Sequence, residues 1–144
     1  MPLPYSILLP ILALVVWSLI MWLWMYATRI PAIQKAGIDP ANAKEPTSLD
    51  ALPLSVRQVA YNYNHLMEQP TIFYALVVYT YLTGGQNTLN AALAWAYVVT
   101  RIAHSLVQAT SNVIMVRFSI HVLGTLALFA LAARDLAACF VPGP

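Results

Sequence analysis

Residues 7–25 form a largely apolar run without a single charged side chain. That is close to the roughly 20 residues a helix needs to cross the hydrocarbon core of a bilayer. The rest of the chain is built to match: 60% of residues are hydrophobic, only 8% are charged, and the mean hydropathy is +0.70. Soluble domains do not show this balance. At 144 residues the chain has room for one domain, residues 1–144. The first run has no basic region ahead of it and exceeds the apolar core of a secretion signal, so it reads as a retained span. The formal charge of +2 is small and scattered, with no basic stripe for nucleic acid. A single cysteine, Cys139, excludes an internal disulfide and a cysteine-based metal centre. It reads as a buried or lipid-facing small apolar residue.

The expected fold is all-α, an integral membrane four-helix bundle. Its spans fall at about residues 5–28, 54–82, 88–108 and 116–140. The breakers between the later spans are "TGGQN" at 83–87 and "QATSN" at 108–112, and "VPGP" closes the chain. Turns this short join antiparallel neighbours. Residues 29–53 form a longer loop in which Pro31, Pro40, Pro46 and Pro53 are expected to interrupt any helix. Arg29, Lys35, Lys44 and Arg57 lie in or beside that loop, while the N-terminal tail and the 83–90 turn hold no Lys or Arg. The positive-inside rule therefore puts loop 29–53 in the cytoplasm, with Arg134 the one residue against it.

Polar residues in the spans follow a pattern. Span 2 carries Arg57, Tyr61, Asn64, His65 and Glu68, at offsets of 4, 7, 8 and 11, on one helical stripe. Span 3 carries Arg101, His104 and Gln108 on one stripe, and span 4 has Arg117 and His121 one turn apart. All of these belong to the same leaflet. Glu68 lies roughly 16 Å along the helix from Arg57. At that depth an ionised carboxylate is costly, so a cation partner is expected, with Arg101 and Arg117 as candidates. Pro70 should free a carbonyl near Leu66, an irregularity tolerated where it faces protein or water. The stripes are therefore expected to face inward or towards a neighbouring subunit. A Glu–Arg pair that only fixes helix register, a satisfied core histidine at His104, and inter-helix hydrogen bonds from Tyr61, Asn62 and Asn64 are the plainer readings. As a set, three arginines and one glutamate leave a net positive pocket suited to a small anionic ligand. His65, His104 and His121 sit on three different spans, and no spacing supports a metal site, so none is expected.

These residues resemble bacterial-type members of a known family, the membrane-associated proteins in eicosanoid and glutathione metabolism. The likeness covers nearly the whole chain and is most specific in "NHLMEQPTIFYAL" of span 2 and "RIAHSLVQ" of span 3 with the arginine of span 4. Glu68, followed by Pro70 and Phe73, matches the family's second helix; Arg101 and His104 match its Arg-x-x-His pair. Arg117, thirteen residues beyond His104, falls where catalytic members place a thiolate-stabilising arginine. Arg29 matches the basic end of helix 1. Departures are His65 at a family asparagine position with Asn64 adjacent, Tyr61 at an arginine position, and Gln108 and His121 at two tyrosine positions.

The resemblance implies a homotrimer in the inner membrane, among membrane lipids, that binds glutathione between protomers on the cytoplasmic side. It implies a transferase or peroxidase acting on a lipophilic small molecule. A free thiol, with a pKa near about 8.5, is mostly protonated at neutral pH. Arg117, as the catalytic residue, would favour the thiolate. Arg29, Arg57, Asn64, His65, Glu68, Arg101, His104 and His121 would then hold the cofactor. The changed positions keep a second expectation open, a non-catalytic lipid-binding or accessory subunit of a larger membrane complex. An ion or proton path through Glu68, His65 and His104 is disfavoured, because no polar residue continues it outward.

Overall fold

The computed structural model describes residues 6–141, and every regular element among them is helical. The elements are α1 (Leu9–Ala36), a 3-10 turn (Pro46–Leu49), α2 (Leu54–Leu66), α3 (Gln69–Leu82), α4 (Thr88–Ala109) and α5 (Ile114–Ala138). α1 runs through Pro31 rather than stopping at Arg29. One proline removes a single backbone bond, and here it sits on an exposed face. The stop comes at Gly37, whose φ of 68° is left-handed; its N–H and that of Ile38 return to Gln34 and Ile33.

The second span is broken. α2 ends at Leu66, and α3 begins at Gln69 with Pro70 in its first turn. Pro70 offers no N–H, and its ring excludes the carbonyl four residues earlier, so the helix cannot pass Met67 and Glu68 unbroken. Two tight bonds hold the joint: Met67 N–H to the Asn64 carbonyl at 3.0 Å and Glu68 N–H to the His65 carbonyl at 3.3 Å.

Cross-helix contacts fix the topology. Gln58 meets Ala109, Asn62 meets Ser105, His65 meets Arg101 and Gln69 meets Tyr97, so α4 runs antiparallel to α2 and α3. Arg101 meets His121 and Asn90 meets Arg134, so α5 is antiparallel to α4. Gln69 with Thr125 and Thr80 with Asp135 make α3 and α5 parallel. Arg29 shares a cleft with Arg57 and Asn64, while Ser18 shares one with Met67 and Tyr74, which sets α1 antiparallel to α2 and α3. The result is an up-down-up-down bundle with α2 and α3 as two halves of one rod. Its core holds Leu14, Met21, Phe73, Val77, Tyr97 and Leu131, with Phe73 stacked on Tyr97 at 4.6 Å between ring centroids.

α1 and α5 are long and apolar enough to cross a membrane, with mean hydropathies of 2.0 and 1.9 over their best 18-residue windows. Their outward faces carry Leu19, Leu23, Leu123 and Phe129, all exposed. Water would penalise such faces and lipid does not.

α4 and α5 pack tightly at Gly124. A Cβ there would lie 2.5 Å from Thr100 Oγ1, which is itself tied to the Ala96 and Tyr97 carbonyls. Gly124→Ala should therefore push the two helices apart, at about 1–3 kcal/mol. The expected outcome is a lower unfolding temperature in detergent, largely restored when Thr100→Ala is added.

Candidate functional site

The centre of the site is Arg101, whose residue is only 1% exposed. It lies on the buried face of α4 with Tyr97, His104, Ser105 and Gln108. One guanidinium nitrogen is 3.1 Å from His121 Nδ1 and the other 3.1 Å from His65 Nδ1. The second also donates to the His65 carbonyl at 3.4 Å, at the broken end of α2. A helix C-terminus carries partial negative charge, so the Pro70 joint supplies the buried cation with a backbone partner.

This arrangement fixes the histidine chemistry. Arginine has N–H donors and no acceptor. The Nδ1 atoms of His65 and His121 must therefore both accept, which leaves the ring hydrogen of each on Nε2. His104 packs against both rings, with centroids 4.9 Å from His65 and 5.8 Å from His121. It is buried, and its Nδ1 has no hydrogen-bond partner among the described residues. His65, His104, His121 and Arg117 line one cavity of about 320 Å³, walled by Ile114 and Phe118. Among the described residues, no carboxylate lines it.

The three histidines bring candidate ligand atoms within 4.8 Å of one another. A tetrahedral zinc ion would need nitrogens about 3.3 Å apart, each offering a lone pair. Two of those lone pairs already face Arg101, whose charge also opposes a second cation. The cluster therefore presents donors, the chemistry of an anion site.

Arg117 stands in the first turn of α5 and is held by Asn112, whose Oδ1 accepts from its Nη1 at 2.7 Å. Asn112 has a φ of 53°, the left-handed region that asparagine tolerates better than most residues, and its N–H reaches the Val107 carbonyl at 2.7 Å. The Arg117 Nε is buried and unpartnered among the described residues. Sequence reasoning passed over Asn112. The available signal was an asparagine in a polar turn five residues before the candidate arginine.

Not all of the expected residues meet here. Arg29, Arg57 and Asn64 line a second cleft of about 260 Å³ with Tyr61, Leu49 and Asp50. In it Arg57 Nε donates to the Leu52 carbonyl at 3.0 Å. Tyr61, Asn64 and Glu68 are exposed, so the stripe they form on α2 faces out of the bundle. The buried face of α2 carries Gln58 and Asn62, with half-buried His65 beside it. The Gln58 amide donates to the Ala109 and Thr110 carbonyls at 3.1 and 2.8 Å, closing the end of α4. The Asn62 amide donates to Ser105 at 2.6 Å. The expected pairing of Glu68 with Arg101 is replaced by the two histidines, because Glu68 turns outward at the joint. Gln108 is buried at 4% exposure and does not line the histidine cavity.

Against this geometry stands one comparison with known proteins. The model of the MAPEG family matches residues 7–137, nearly the whole chain. The chain belongs to the MAPEG family, and with its apolar helices it is a membrane protein. Neither the curated proteins nor the solved structures compared with the chain give a match.

Asn112 allows a clean separation of backbone from side chain. Asn112→Gly keeps the left-handed turn and loses only the Arg117 anchor. Asn112→Val also strains the turn, at a cost of about 1–3 kcal/mol. Thermal unfolding should show little change for the glycine variant and a clear loss for valine.

Proposed function

We propose that this protein is a multi-pass, glutathione-dependent transferase or peroxidase acting on lipophilic electrophiles. It works as a homotrimer, with the end of α1 and the 37–53 segment on the cytoplasmic face of the inner membrane. The observation that carries the reading is the Arg117 cavity, together with membership of a glutathione-associated family. The cavity fits an anionic thiol: it is lined by an arginine and three histidines, with no carboxylate among the described residues that line it.

Glutathione, when bound, supplies a thiolate nucleophile. Arg117 favours that anion over the neutral thiol by its charge and its hydrogen bonds. The Nε2–H groups of His65 and His121 add donors, and Arg101 holds both rings from behind. Arg29, Arg57 and Asn64 lie in the outward cleft, placed for the carboxylates of a tripeptide lying between protomers. Glu68, exposed at the joint, suits its amino group.

A lipophilic partner has a path as well. An apolar groove of about 270 Å³ between α3 and α5 is lined by Ile72, Leu76, Leu128 and Phe129. Gln69 donates to Thr125 Oγ1 across it at 3.0 Å, and Thr125 donates in turn to the His121 carbonyl at 2.8 Å. The groove therefore reaches within one helical turn of the cavity.

A second reading, a non-catalytic lipid-binding or accessory subunit, draws on Gln108. That side chain is buried away from the cavity at a position where the family carries tyrosine. The two readings separate in one assay. Purified protein should conjugate glutathione to chlorodinitrobenzene, and Arg117→Ala should lower kcat/KM by about a hundredfold or more. Absence of turnover, with a lipid retained in native mass spectrometry, would favour the accessory role. The same spectrum counts the protomers.

A further inference from the structure

The His65–His104–His121 cluster asks for more than a thiol needs. His65, His104, His121 and the Arg117 guanidinium all line one cavity, and with the Nδ1 atoms of His65 and His121 turned to Arg101 each of those two rings keeps one N–H, on Nε2. Several donors without a carboxylate among them match a multiply charged oxyanion with several acceptor oxygens. The mouth adds a second clue. Ile114 and Phe118, which wall the cavity, are 73% and 61% exposed. Arg117 lies three residues into α5, beside the turn that follows α4, so the cavity opens near the end of the bundle. A phosphate held there by Arg117 and the histidine N–H groups has apolar surface beside it for whatever carries it.

We propose that the cavity lined by His65, His104, Arg117 and His121 is a binding site for a phosphate-type oxyanion. Arg101 acts as a positioning residue that turns His65 and His121 into Nε2–H donors. The phosphate is carried either by a lipid headgroup or by a free anion, and the recognising chemistry is the same for both. The site does not depend on glutathione turnover. Arg101 is also what separates it from a metal site, since its N–H groups occupy the nitrogens of two rings that a cation would otherwise use.

The test uses the full chain in dodecyl maltoside and phosphate-free buffer, with histidine ring nitrogens labelled for NMR. Three probes are added separately: inorganic phosphate, phosphatidic acid in mixed micelles against diacylglycerol in the same micelles, and cobalt(II). Phosphate or phosphatidic acid should raise the unfolding temperature by a few degrees at saturation. It should also move the Nε2 signals of His65 and His121 while their Nδ1 signals stay in place. Arg117→Met should bind roughly tenfold or more weakly. A response to phosphate assigns the free anion, a response to phosphatidic acid alone assigns the headgroup, and either supports the site. Arg101→Met should change the Nδ1 signals of both rings before any ligand is added, which a merely space-filling role would not do. Should that variant fail to fold, the Nδ1 signals of the wild-type protein decide, because both must be those of unprotonated nitrogens. The proposal is overturned if neither phosphate source acts, if Arg117→Met binds as well as wild type, or if cobalt(II) binds with the visible absorption of histidine ligation.

Discussion

A guanidinium buried between three helices is the interaction on which this protein depends. Taking a charge out of water costs several kcal/mol unless its surroundings replace the lost hydration. Among the described residues Arg101 has no carboxylate to do so; its partners are two imidazole nitrogens and one backbone carbonyl. One ring comes from α2, the other from α5, and Arg101 itself from α4. The same contacts that stabilise the charge therefore hold three helices in register and set the tautomers of both rings. Structural and chemical roles cannot be separated at this residue.

The break in the second span belongs to the same arrangement. A continuous helix would keep the His65 carbonyl inside its own ladder. Pro70 ends that ladder, and the His65 carbonyl takes both the Glu68 N–H and the arginine. The joint also leaves Glu68 exposed and outside the lining of the cavity. Behind the joint, Gln58 and Asn62 stitch α2 to α4 through neutral hydrogen bonds. Such bonds keep polar groups satisfied in a solvent that offers none.

Polarity is divided between the ends of the bundle. Arg29, Arg57 and Arg117 gather at one end with the 37–53 segment and the 110–113 turn. The other end holds a smaller network, where Thr80 donates to buried Asp135 at 2.6 Å and Arg134 donates to Asn90. Between them lies the apolar core around Phe73 and Tyr97. Gly124 allows α4 and α5 to approach at that level, one turn below His121, and so helps set the distance at which His121 meets Arg101.

Much of the fold was legible in the sequence, because apolar runs and turn residues act locally. The run at 7–25, the "TGGQN" and "QATSN" breakers, Pro70 and the helical content needed no knowledge of neighbours. The inward face of α4 was legible too, since Arg101, His104 and Gln108 share one stripe. The rotation of α2 was left open: the stripe Arg57–Tyr61–Asn64–His65–Glu68 could face inward or a neighbouring subunit, and Gln58 and Asn62 form a second, neutral stripe beside it. Periodicity gives the angle between side chains on a helix but not the direction of the neighbouring helix. Only tertiary packing chose the neutral stripe for the interior, turned Glu68 away, and replaced an expected ion pair with two histidines around an arginine. The physical reason is that depth along a helix is written in the chain, whereas azimuth is decided by what packs against it.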